Sequence, residues 1–97
     1  MKLNLRPEMI DFIMVGIDDE ELEEIWNKIF FMASDKSRKK IMGFIEKFLI
    51  EQHVEYFLAE NYYIGLYLQD AKKMDYQRAI IRLLLEQGYI YFFNDMD

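Results

Sequence analysis

The stretch DYQRAIIRLLLEQG, residues 75–88, constrains the architecture more than any other part of the chain. Tyr76, Ala79, Ile80, Leu83 and Leu84 recur at helical spacing, and Ile81 and Leu85 widen the apolar face until only Arg78, Arg82 and Glu86 form a polar stripe. A helix that is apolar over most of its circumference has to lie between neighbours, because a rim position would leave much of that surface in water. Asp75 is read as its N-cap. Gly88 is read as its C′ glycine, with Tyr89 placed to fold back on Leu84. The remainder of the chain must supply the surrounding elements.

It does so without a linker. One Pro, four isolated Gly and no low-complexity stretch in 97 residues predict a single domain, 1–97, whose segments are divided by helix caps rather than by spacers. Pro7 suits a first helical turn, and Met9, Ile10, Ile13 and Met14 follow before Gly16 closes a short helix. The acidic run DDEELEE, residues 18–24, then opens a second. Asp18 is an N-cap with Glu21 in the capping-box position, and Ile17 and Leu22 occupy the two places of a hydrophobic staple. The other carboxylates sit where the helix dipole favours negative charge. Consecutive helical residues fan out around the axis and do not converge on a metal ion, so capping, not coordination, accounts for the run. Leu22, Ile25, Trp26, Ile29 and Ala33 continue the face. A third helix starts at Ser34 or Asp35 and lines up Ile41, Phe44, Ile45, Phe48 and Leu49.

Residues 52–74 admit two readings. Val54, Phe57 and Leu58 can share one helix face and Tyr63, Leu66 and Tyr67 another, or Tyr62, Ile64, Leu66 and Leu68 can alternate in a hairpin. Length favours helices, with Asn61 as a boundary and Ala71 to Lys73 in a last turn where cations meet the dipole favourably. The fold expected is therefore mainly α, a compact bundle of four to five helices. At the two ends, KLNL and YIYFF are rich in β-formers and could pair as a short two-stranded sheet.

The functional reading begins with what is missing. Cysteine and threonine are absent, Ser34 and Ser37 stand where a helix begins, and the lone histidine, His53, has Leu49, Ile50, Tyr56 and Phe57 as helical neighbours. No cysteine or histidine cluster, nucleophile relay or glycine-rich phosphate loop can be assembled, so no enzyme activity, cofactor or metal site is expected. The net charge of −6 disfavours broad attraction to nucleic acid or anionic membrane. Charges interrupt every apolar run short of a membrane span, and Glu8 and Asp11 break any leader-like stretch, so a cytoplasmic protein is expected.

Against this stands an excess. Hydrophobic residues make up 53% of the chain and aromatics 16%, more than so small a body readily hides, and they are the types enriched at protein interfaces. The expected role is thus a small acidic protein-binding module, an inhibitor, an immunity or antitoxin-like protein or a phage-type modulator. Its partner would be another protein, with acidic rim residues favouring a basic one, or a second copy in a homodimer. Tyr89, Tyr91 and Phe93 are the candidate contacts, with Trp26 a weaker one.

The alternative starts from MDYQRAIIRLLLEQGYIYFF, which is similar to the end of a winged helix-turn-helix domain, where a helix closes on glycine and enters a wing strand. That resemblance implies a DNA-binding transcriptional regulator. The departure is that only Arg78 and Arg82 stand beside Glu86 on the would-be recognition helix, and no second wing strand follows. Its phosphate contacts would come from Lys36, Arg38, Lys39 and Lys40, cations that oppose the dipole of the third helix. The other explanation of that basic run is a solvated face paired with the acidic start of the second helix.

Overall fold

The computed structural model describes residues 6–90. Four helices, α1 (Pro7–Val15), α2 (Asp19–Met32), α3 (Asp35–Glu51) and α4 (Asp70–Glu86), are accompanied by a β-hairpin of β1 (Tyr56–Leu58) and β2 (Ile64–Leu66) joined through a single 3₁₀ turn, Glu60–Tyr62. The fold is mainly helical, and its radius of gyration of 13.0 Å is that of a compact chain of this length.

Central placement of α4 follows from its wide apolar face. It packs against α1, α2 and α3, and Ile80, Ile81, Leu84 and Leu85 lose almost all contact with solvent. The helix starts earlier than the sequence suggested. Its N-cap is Gln69, Asp75 lies inside it, and Ala71 to Lys73 fall in its opening turns rather than closing a preceding helix. Packing explains the shift. Met74, Gln77, Ile81 and Leu84 form one continuous helical row against the core, and the polar character of buried Gln77 hid that row.

The end of α4 is as expected. Gly88 adopts φ 74°, Gly88 N–H donates to Leu85 O at 3.1 Å and Tyr89 N–H to Leu84 O at 2.9 Å, a Schellman motif. The Tyr89 ring also rests on Phe44 of α3, with centroids 5.5 Å apart. The start of α2 likewise matches its sequence signals. Asp18 accepts from Glu21 N–H at 2.9 Å, and the staple residues Ile17 and Leu22 are both buried. Ser34 caps α3 by accepting from Ser37 N–H.

Of the two readings of 52–74, the structure has the hairpin and not the two favoured helices, and only its last residues, from Asp70, are helical, as the start of α4. α3 ends in a second Schellman motif with His53 in the left-handed position at φ 56°, His53 N–H to Ile50 O at 3.1 Å and Val54 N–H to Leu49 O at 2.9 Å. The chain then turns into the antiparallel hairpin, in which Tyr56 faces Leu66, Phe57 faces Gly65 and Leu58 faces Ile64. Val54, Ile64 and Leu66 are buried. The short two-stranded sheet is therefore internal. The pairing expected of the chain ends involves residues 2–5 and 89–93, of which 2–5 and 91–93 lie outside the described residues, and Tyr89 and Ile90 are not in a strand.

Candidate protein-docking surfaces

The hairpin has two unlike faces because side chains alternate along each strand. Inward, Ile64 and Leu66 join the core. Outward, Phe57 and Tyr67 stack with ring centroids 4.8 Å apart, and the Phe57 ring lies directly over Gly65, where a Cβ would collide with it. Glycine at 65 is what lets an aromatic ring lie flat on the strand. Phe57 and Tyr67 nevertheless stay 40% and 61% exposed, and Leu58 and Tyr62 at the tip are exposed too. Phe31 at the end of α2 is exposed as well and stacks on Tyr63, the residue before β2. Exposed Glu55 and Glu60 mark its rim.

The two edges of the hairpin also differ. On β2, the Trp26 indole N–H donates to Ile64 O at 3.2 Å, so a helix side chain closes that edge. On β1, the ladder bonds Tyr67 N–H to Glu55 O and Ala59 N–H to Tyr63 O set the alternation that turns the backbone groups of Tyr56 and Leu58 away from β2. Those groups have no backbone partner among the described residues. The Tyr56 hydroxyl donates to Glu46 on α3 at 2.8 Å. That hydrogen bond to a carboxylate, with burial and the carboxylate charge adding, raises the Tyr56 pKa above its ordinary value. Burial raises that of Tyr63, opposed by a side-chain hydrogen bond with Trp26, and the charge of Glu23 adds a still smaller upward push.

Of the contacts expected from sequence, Trp26 is excluded as a surface anchor. It is fully buried, edge-on to Phe30 at 5.4 Å and bonded to the hairpin, so it holds α2 to the strands. Tyr91 and Phe93 lie outside the described residues. Tyr89 is 41% exposed. It lines a groove of about 510 Å³ between α3 and the end of α4, together with Lys40, Gly43, Phe44, Lys47 and Phe48. Tyr89 and Lys40, drawn from the two competing functional readings, thus meet in one place.

The basic run divides. Lys36, Lys39 and Lys40 are exposed, whereas Arg38 is half-buried, donating to Phe30 O at 3.1 Å, pairing with Asp35 and lying near the Tyr62 ring. Arg38 therefore satisfies an end carbonyl of α2. Arg78 does the same for the α1–α2 turn, donating to Met14 O at 3.2 Å and Ile17 O at 3.1 Å and reaching Asp19. Arg82 pairs with Asp11 and Glu86. Every ion pair among the described residues uses an arginine, and none links the lysines of α3 to the acidic start of α2 as the sequence suggested.

Sequence reasoning missed Phe57 and Tyr67 as a pair because it put them on different helices. It also missed the outer side of α1, where Phe12 and Val15 are 83% and 88% exposed. The signal for α1 was present, since its apolar residues occupy both sides of the cylinder. Among the described residues no group of three or more His, Cys, Asp or Glu side chains could hold a metal ion, and no helix is long and apolar enough to cross a membrane. Comparisons with protein-family models, with curated proteins and with solved structures find no match to this chain.

Proposed function

We propose that this chain is a small, acidic, cytoplasmic protein-binding module, of inhibitor, immunity-like or phage-modulator type, that docks through the outer side of its hairpin. The observation that carries the reading is the exposed, mutually stacked pair Phe57 and Tyr67 on the outer side of the hairpin, with Leu58 and Tyr62 exposed at its tip. Rigid aromatic side chains already held against each other lose little freedom on binding and suit a buried anchor. The open edge of β1 offers backbone groups to an extended partner segment, and Glu55 and Glu60 favour a basic one. The role requires no catalysis and no cofactor.

The test is capture from the native host by immobilised wild type beside Tyr67→Ser and Leu58→Asp, after far-UV spectra and melting show each variant folded. A partner retained by wild type and lost from both variants supports the reading; equal retention by all three overturns it. Self-association is a second reading, favoured by the outer side of α1. Light scattering across dilution, with Val15→Glu as the control, distinguishes it. The DNA-binding alternative rests on lysines alone, since Arg38, Arg78 and Arg82 are engaged within the fold. Failure of a heparin column to retain the protein removes it.

A further inference from the structure

Gly43 stands at the midpoint of the seventeen-residue α3, exposed to solvent. Glycine is the poorest helix former after proline, so a helix interior keeps it only for a reason. No such reason is found inside the described residues, because its backbone is ordinary helix and a Cβ built there would meet nothing within 4 Å. What a bare Cα offers is close approach for something outside. Around it lies the α3–α4 groove, with Phe44, Phe48 and Tyr89 for an apolar side chain and Lys40 and Lys47 on either side of the glycine. Lys36 extends the same side of α3 by one turn, and in a chain of net charge −6 these lysines take part in no ion pair among the described residues.

We infer that this groove binds an acidic segment of another protein, whose backbone crosses α3 at Gly43, whose apolar side chain packs on the outer side of the Phe44–Tyr89 pair, and whose carboxylates meet Lys40 and Lys47. Glu51 lines the far end of the groove and repels carboxylates there, so the acidic part of the segment lies toward the start of α3. The groove shares no lining residue with the hairpin and has the opposite charge preference.

The experiment titrates the ¹⁵N-labelled full chain with a short amidated peptide of Asp and Glu around a Leu-Phe pair. Shifts confined to residues 40–51 and 87–89 are expected. The double variant Lys40→Glu/Lys47→Glu should weaken binding about tenfold or more, as for two close charge pairs reversed. Gly43→Ala should raise Tm by about 4 °C while weakening the peptide, and Gly43→Leu should abolish binding with Tm unchanged or higher. Tyr67→Ser should leave the peptide bound as in wild type, which separates this site from the hairpin. No shifts in the groove, or wild-type binding by Gly43→Leu, overturns the inference. So does a fall in Tm for Gly43→Leu, which would mean that the chain's own residues fill the groove. Equal competition by a single-stranded oligonucleotide, or a dimer whose dissociation alone explains the shifts, also overturns it.

Discussion

α3 and α4 are both seventeen residues long and both end in a Schellman motif with the same two hydrogen-bond lengths, yet the fold uses them in opposite ways. α4 sits among three other helices, and its arginines turn back to end carbonyls and carboxylates of α1 and α2. α3 buries only Ile41, Ile45 and Leu49 and holds its lysines out toward water. The difference is between the two cations as well as between two positions. A guanidinium can serve several carbonyls at once in a half-buried corner, whereas an ammonium is strongly hydrated and suits a face that must stay exposed until a partner arrives. Cationic side chains in this protein are therefore structural where they are the arginines Arg38, Arg78 and Arg82, and available where they are the lysines of α3.

The widest contrast should appear in the apolar rows. Leu84→Ala, at a fully buried site of α4, is expected to cost about 2–5 kcal/mol. Ile50→Ala, at a site of α3 that is 63% exposed, should change urea-denaturation stability by less than about 0.5 kcal/mol. The cations come next. Arg78→Ala removes two carbonyl partners and an ion pair from the α1–α2 turn and should cost about 1–2 kcal/mol, the one-third exposure of its side chain holding the figure down. Lys40→Ala should be neutral within about 0.5 kcal/mol, and an equal loss at both sites would erase the distinction drawn here.

The helix ends give a pair of opposite sign. Gly88→Ala forces a side chain into a left-handed position and should destabilise by about 1 kcal/mol, whereas His53→Gly relieves the same strain at the matching site of α3 and should stabilise by a smaller amount. The last contrast concerns the tie between α3 and the hairpin. Tyr56→Phe should cost about 1 kcal/mol at neutral pH. Because the folded state holds the Tyr56 proton more tightly than the unfolded chain, wild-type stability is full below the ordinary value of 10.0 and falls as pH rises above it. Denaturation followed from pH 8 to 11.5 should show a shallower alkaline decline in Tyr56→Phe, and parallel curves would remove the linkage.

Where a helix boundary is written in side-chain chemistry, it was legible. Asp18 with Glu21, Ile17 with Leu22, Ser34 and Gly88 each mark a terminus that the structure has. Where a boundary is set by backbone geometry or by packing, it was not. His53 and Tyr62 take positive φ with side chains that seldom signal it, so the turn into the hairpin and the turn within it left no residue-level mark. The strands are three residues each, too short for alternation to outweigh a helical period. Gly65 looked like an isolated glycine because its reason, the ring of Phe57 above it, is a contact between strands. Of the exposed aromatic side chains, Tyr89 was expected at the surface and Phe57 with Tyr67 was not, since the pair exists only once the hairpin does.

The single tryptophan gives the molecule its own optical gauge. Its indole is sealed in the interior with the N–H fixed to Ile64, so its emission should be blue-shifted in the native state and should move to the red as soon as the strands lift from α2. A ligand that pries at the hairpin and one that only fills the groove between α3 and α4 would then be told apart in a cuvette, with no dye attached.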